Sequence, residues 1–358
     1  MLLSADTVGG VWTYALDVAR ALPRCEFHLA TMGALLSPSQ TREVGSLPNV
    51  TVHPSAFRLE WMPAPWDDLA RAGDWLLGLE RDVRPDIIHM NSFVHAALPF
   101  RAPVVTVGHS CVLSWFRAVQ GRDAPGEWAR YGQAVRAGLV ASACVVAPTQ
   151  AMLSALETHY GPLPPSRVIA NARDASLYAP GVKEPIILSA GRVWDEAKNI
   201  RALAQAAPGL PWPVCVAGDT SGPNGECADM PPLRMLGQLT PPTLADWLAR
   251  ASIYALPARY EPFGLSILEA ALSGCALVLG DIPSLREVWG DAATYVPPDD
   301  VGALHRALLR LCRDDRARQA MAARARTRAA QYSPIRMAAS YQALYGDVLA
   351  QRAASPAS

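Results

Sequence analysis

Short apolar runs alternate with longer helical stretches along the whole chain, and this alternation limits the fold more than any other feature. Candidate strands fall at residues 2–5, 26–31, 50–53, 86–91, 103–109, 143–147 and 167–170, then at 186–190, 213–218, 252–256, 276–280 and 293–296. Helical patterns lie at 11–22, 66–83, 127–140, 152–160, 200–207, 243–251, 264–274, 301–311 and 315–331. Repeated switching between the two periods builds parallel sheets covered by helices. A chain of 358 residues, 51% hydrophobic, has material for two such cores. The alternation pauses between residues 172 and 185, a stretch containing Pro180, Gly181 and Pro185. The expected organisation is an N-terminal domain over 1–172, a second domain over 185–332, and a last helix, 333–350, crossing back to the first. The fold class is α/β, with two doubly wound Rossmann-like domains facing across a cleft, and ligands bind such sheets at the carboxyl ends of their strands.

Bulk composition removes several functions. Basic and acidic residues number 32 each, so nothing calls for nucleic acid. The Arg-rich stretch from Arg313 to Arg328 reads as a solvated helix face. The seven cysteines (Cys25, Cys111, Cys144, Cys215, Cys227, Cys275 and Cys312) are scattered, without a C-x-x-C pair, and read as free core residues. No run approaches the roughly 18 apolar residues of a membrane span, and no signal peptide is evident. A cytoplasmic protein is expected, with peripheral membrane contact left open. No Asp-x-Asp triplet and no cluster with metal-ligand spacing occurs, so neither metal nor cofactor is expected.

The chemistry concentrates in Glu261-Pro262-Phe263-Gly264-Leu265-Ser266-Ile267-Leu268-Glu269, where two carboxylates stand eight positions apart. Glu261 follows an apolar strand. Glu269 lies on a helix apolar nearly all round, where an unpartnered carboxylate costs several kcal/mol, on the order of 2–7 even for a neutral polar group. It therefore needs donors, either ligand hydroxyls or an arginine elsewhere in the chain. The first turn of that helix offers free N–H groups at its positive end, a site for phosphate. Arg192 ends the first strand of the second half and Lys198 opens the next helix; together they suit a diphosphate, or else are surface charge. Gly9 and Gly10 follow the first strand and open a helix, either to admit a ligand or as a tight turn. His109 ends a strand of the first half, as a site residue or a structural group; His89 and His95 read as structural. Asn171 and Asp174 brace the junction.

These residues resemble the retaining glycosyltransferases of the GT-B fold, in the large family 4. The segment from Glu261 to Glu269 resembles that family's E-x7-E motif, and the Gly9-Gly10 loop, Arg192, Lys198 and the Asn171/Asp174 segment follow in the same order. The resemblance implies that Glu261 contacts donor-sugar hydroxyls and that Glu269 holds the nucleotide ribose. It further implies that Arg192 and Lys198 neutralise the diphosphate, that Phe263, Gly264 and Leu265 supply backbone N–H groups, and that His109 lies near the sugar. Two features depart from the pattern: the arginine-to-lysine spacing, R-x5-K, is one residue longer than the commonest form, and Asn171-Ala172-Arg173-Asp174 replaces N-G-V-D.

The reaction so implied is metal-independent transfer of a hexose from a UDP- or GDP-sugar to a saccharide or lipid-linked acceptor hydroxyl, with retention. Base recognition would use backbone around Leu236, Gly237 and Gln238, and the acceptor would lie near Trp12, Trp115 and Phe116. A nucleotide-sugar epimerase or phosphorylase on the same fold, or a non-catalytic nucleotide-sugar-binding module, are the competing readings.

Overall fold

The computed structural model describes residues 1–220 and 230–354, so Cys227 lies outside the described residues. The chain forms two compact units: residues 1–117, 122–171 and 334–358, and residues 118–121 with 172–333.

The first unit holds a seven-stranded parallel sheet: β1 (Leu2–Asp6), β2 (Phe27–Met32), β3 (Val50–Pro54), β4 (Ile88–Met90), β5 (Val104–Val107), β6 (Cys144–Ala147) and β7 (Ser166–Val168), in the order β3-β2-β1-β4-β5-β6-β7. The sequence of β5 is Val-Val-Thr-Val and that of β6 is Cys-Val-Val-Ala, and every one of these residues is buried. Continuous apolar strands of this kind are covered on both faces, as helix-flanked parallel sheets require. Strand order reverses between β1 and β4, so the carboxyl ends of β1, β4 and β5 bring the Gly9-Gly10 turn, Asn91 and His109 to one edge. The last helix, Pro334–Ala354, belongs to this unit and packs on the first, Gly10–Ala21, through Tyr341 and Tyr14.

The second unit holds six parallel strands: β8 (Glu184–Ala190), β9 (Val214–Ala217), β10 (Arg234–Gly237), β11 (Ala251–Leu256), β12 (Ala276–Gly280) and β13 (Thr294–Val296), in the order β10-β9-β8-β11-β12-β13. Its reversal lies between β8 and β11, whose residues Ile187 and Ile253, Leu188 and Tyr254 are paired. Residues 172–184 belong to this unit. Gly181 N–H donates to Ala249 O at 3.1 Å, and the Lys183 ammonium gathers the carbonyls of Leu248, Ala251 and Ser273 at 3.2, 2.8 and 2.7 Å. Among the described residues, several helical segments have no counterpart in the sequence reading, among them Pro38–Gly45, Val112–Trp115, the π-turn Phe116–Gln120 and Pro283–Trp289. Neither does β10, a partly exposed edge strand of four residues. Among the described residues no helix is long and apolar enough to cross a membrane.

Candidate functional site

In the second unit the chain leaves β8 through Gly191 and Arg192 and leaves β11 through Pro257 to Glu261. The two exits are neighbours because β8 and β11 are hydrogen-bonded at the point of reversal. A Cβ on Gly218 would stand 1.7 Å from Gly191 O, so a glycine is required for the β9 exit to pass against the β8 exit. Arg259 N–H donates to Ala197 O at 2.9 Å, and the buried Asn199 amide donates to Pro257 O and Pro298 O at 2.9 and 2.7 Å. These bonds stitch the turn carrying Lys198 to the loop carrying Glu261.

The side chains meet accordingly. Lys198 Nζ lies 2.5 Å from Glu261 Oε2, with both side chains largely covered. Glu261 Oε1 accepts from Phe263 N–H at 3.4 Å, and Glu261 O accepts from the Ser284 hydroxyl at 2.6 Å. Arg192 is more open: Nη2 lies 2.8 Å from Asp195 Oδ2 and its guanidinium stacks 5.2 Å from the Trp194 ring centre. Asp195 also accepts from Ala197 N–H at 3.0 Å, capping the turn that bears Lys198.

The helix Leu265–Leu272 begins at Gly264, whose φ of 89° is left-handed. The left-handed conformation favours glycine, and a Cβ there would also meet Ile267 Cδ1 at 2.6 Å. Residues Ile267 to Leu272 are all buried, Glu269 among them. The partner of Glu269 is Arg173: Nε stands 2.8 Å from Oε1, with side chains 9% and 10% exposed. The two form a close, largely covered ion pair. Arg173 Nη2 also donates to the Tyr178 hydroxyl, and the Tyr178 hydroxyl in turn bonds Glu269. The arginine that Glu269 needs thus comes from the segment that departs from the family pattern. Asp174 caps the short turn Ala175–Leu177 through Ser176 N–H at 2.9 Å.

Arg192, Lys198, Glu261, Phe263, Gly264, Leu265 and Glu269 therefore share one unit. Gly237 ends the edge strand β10, with φ 68°, and its carbonyl is taken by Gly218 N–H at 2.9 Å.

Gly10 and His109 belong to the first unit. Gly10 is exposed at the start of its helix, behind Gly9 with φ 98°. The His109 ring is half-buried, edge-on to Tyr14 at 4.4 Å, with Nε2 2.8 Å from Asn91 Oδ1. Burial pushes its imidazolium down to about 3, so the ring is neutral at pH 7. Trp12 is a core residue whose indole N–H donates to Glu43 at 2.9 Å, so it offers no stacking face. Trp115 and Phe116 are half-buried and pack on each other edge-to-face at 5.3 Å. His95 reads as structural here as well, bonded to Leu69 O at 3.1 Å. Among the described residues no group of three or more His, Cys, Asp or Glu side chains is placed to hold a metal ion.

Four residues of these constellations were not assigned a role from the sequence: Asn91, Arg173, Tyr178 and Asp195. Arg173 carried a signal, an arginine in the segment that departs from the N-G-V-D pattern while a carboxylate on an apolar helix needed a partner. The others act through spatial neighbours and carry none.

Comparison with known proteins follows the same division. A family model described as Glycosyltransferase Family 4 matches residues 8–177, and one described as Glycosyl transferases group 1 matches residues 184–314. The O-antigen chain mannosyltransferase B of Escherichia coli is 32% identical across 39% of this chain and 40% of its own, so the chain spans about two fifths of that relative's length. Sucrose-phosphate synthase of Thermosynechococcus elongatus has a similar fold, with a TM-score of 0.80 at 19% identity over 98% of this chain and 100% of that one. So does the Anabaena protein HepE in complex with UDP-glucose, with a TM-score of 0.76 at 16% identity over 98% and 99%.

Proposed function

Because this chain belongs to the family 4 glycosyltransferases, we propose that it moves a hexose from a nucleotide diphosphate sugar to an acceptor hydroxyl, retaining the anomeric configuration. The observation that carries this reading is the convergence of two cations, two carboxylates and one helix N-terminus where the second sheet reverses. Arg192 and Lys198 neutralise the diphosphate as its bond to the sugar breaks, and the amides at Gly264 and Leu265 add fixed dipoles. Glu261 receives donor-sugar hydroxyls and Glu269 the ribose hydroxyls. Atoms balance simply: the anomeric carbon loses its bond to the diphosphate oxygen and gains one to the acceptor oxygen, and the acceptor's proton passes to the leaving phosphate.

Lys198 is engaged by Glu261 and Arg192 by Asp195. The donor's phosphates take over these cations by exchange with the carboxylates. Such exchange lets the site stay neutral when empty and costs little desolvation at the partly open Arg192. The cations do the work for which other transferases recruit a metal, so activity is expected to survive EDTA.

The test begins with a thermal-shift panel of UDP, GDP, ADP and TDP and their glucose and mannose derivatives. The cognate nucleotide should stabilise the protein by about 2.7 kcal/mol at one hundred times its Kd. Release of nucleoside diphosphate should then require an added saccharide or lipid-linked hydroxyl. Release without an acceptor, isomerisation of the sugar, or binding with no turnover would replace transfer by a phosphorylase-type, epimerase or binding function. Loss of activity with EDTA and rescue by Mn²⁺ would remove the metal-independent mechanism.

A further inference from the structure

The arginines of the helices Val301–Arg313 and Asp315–Ala329 are of two kinds. Arg318 and Arg328 are tied to the fold. Arg318 donates to Leu311 O at 2.7 Å, pairs with Asp315 and stacks 4.7 Å from the Trp212 ring centre. Arg328 donates from Nε to Val288 O at 2.8 Å and from Nη2 to Glu287 O at 3.0 Å. Arg310 and Arg324 are not tied: among the described residues neither guanidinium meets a carboxylate or a carbonyl. Arg306 has one acid near it, Asp300 at 4.0 Å, with both side chains exposed.

Arg306, Arg310 and Arg324 border one recess of about 440 Å³, where the two helices pack beside β13. Arg306 and Arg310 stand four residues apart on one helix face, and Arg324 comes from the other helix. The buried side chains of Leu311 and Met321 line the recess, and among the described residues no carboxylate does. The nearby acids are engaged elsewhere: Asp314 accepts from Ala317 N–H at 2.8 Å, and Asp315 bonds Arg318 and Gln319. Like charges four apart on a helix repel, and an arginine cannot end the repulsion by losing its proton. A bound anion ends it.

Charge and shape narrow the ligand. The planar, forked donors of arginine match phosphate oxygens, and a phosphomonoester carries about −1.5 to −2 charge at pH 7. The volume falls within the roughly 300–1,000 Å³ of small-ligand sites and leaves room for an organic body over Leu311 and Met321. A lipid-docking face would carry exposed apolar side chains. The exposed large apolar residues of the described chain, such as Val182 and Ile335, lie outside these two helices. The recess also stands apart from the donor cations. Its lining residue Thr294 opens β13 at the amino end, whereas Arg192 and Lys198 follow the carboxyl end of β8.

We propose that the recess bounded by Arg306, Arg310 and Arg324 is a second ligand site, which binds a soluble phosphomonoester with a small organic body. Calorimetry at low ionic strength with glycerol 3-phosphate tests this, with glycerol as the uncharged control. The phosphate ester should bind, glycerol should not, and binding should weaken as salt is raised. Arg310→Gln and Arg324→Gln should each weaken it roughly tenfold, the effect of one charge-assisted hydrogen bond. Arg316→Gln and Arg326→Gln, on the same helix but outside the recess, should leave it unchanged, as should Arg192→Ala at the donor site. All four of these helix arginines are exposed, so the variants keep the fold. No binding by the wild type would overturn the site. Equal loss in all four helix variants would do the same, reducing the effect to bulk charge, and so would loss in Arg192→Ala alone. Capture of the wild type, but not Arg310→Gln, on phosphatidylcholine vesicles containing phosphatidic acid, without binding of glycerol 3-phosphate, would overturn the soluble ligand in favour of a lipid headgroup.

Discussion

Replacing Arg173 by methionine is the perturbation whose size the structure specifies best. The guanidinium stands 2.8 Å from Glu269, both side chains are about nine-tenths covered, and Tyr178 shares the pair. Solvent screening, which reduces exposed ion pairs to about 0–1 kcal/mol, does not apply here. Removing one member leaves a buried carboxylate without its counter-charge, at a cost of about 3–5 kcal/mol. Against a total stability of about 5–15 kcal/mol this is a large fraction. At roughly 2–4 °C per kcal/mol for a unit of this size, it lowers the melting temperature by about 6–20 °C. Replacing both partners, as Arg173→Met with Glu269→Leu, removes the stranded charge and should recover much of the loss. Arg173→Lys should fall between, because one ammonium cannot reproduce the planar fork that serves Glu269 and Tyr178 together. Urea and thermal unfolding read stability, and calorimetry with the cognate nucleotide reads the site. An Arg173→Met protein within about 1 kcal/mol of wild type would refute the reasoning, since the pair would then be no better desolvated than a surface contact. So would a double variant less stable than the single one.

Other perturbations follow from the same geometry. Arg192→Ala and Lys198→Ala should each lower kcat/KM by about 2–4 kcal/mol, the scale of one lost oxyanion donor, and unchanged kinetics in either would make that cation surface charge. Glu269→Gln should weaken free nucleoside diphosphate and donor alike, whereas Glu261→Gln should spare the nucleotide and lower turnover; the reverse pattern in calorimetry and steady-state kinetics would exchange the two assignments. Glu60 accepts N–H bonds from Phe93 and Val94, yet burial raises its carboxyl to about 7. The folded protein therefore holds a proton that the unfolded chain releases, and stability falls as pH rises from about 4.5 toward 7. Glu60→Gln should flatten that slope, gaining on the order of 3 kcal/mol relative to wild type across the window; parallel pH–stability curves would show that the carboxyl stays ionised in the fold.

The fold was legible because buried parallel strands are written as unbroken apolar runs. Most of the central strands announced themselves this way, β3 and β7 were legible only as shorter, more exposed runs, and β10, with Arg234 exposed and its other residues half-covered, was not read at all. The helix Pro283–Trp289 was hidden by its brevity, and Pro38–Gly45 by its polarity, since only Val44 of its eight residues is buried. At the site, Glu269 was readable because a carboxylate on an apolar helix stands out, and Arg192 and Lys198 because two cations follow the end of an apolar strand. Their pairings were not. Which carboxylate a cation finds depends on strand order, and β8 and β11 become neighbours only through a crossover that local sequence does not encode. Asn91 shows the same limit: its bonds run to Ser4 and His109, each distant in the chain and adjacent only in the sheet.

The placement of the helix Pro334–Ala354 has a consequence for how the molecule is made. Its tyrosines complete the interior of a unit whose other strands were all translated before residue 172. On the ribosome, the segment 172–333 emerges whole and is free to fold while the earlier sheet still lacks its final layer. With synthesis at about 5–20 residues per second, His89 and Tyr14 wait on the order of ten seconds or more for Tyr341 and Tyr345 to arrive. The part of the protein that is born first is therefore finished last, and a nascent chain stalled shortly after residue 333 would carry one closed unit and one with its apolar seam open to chaperones.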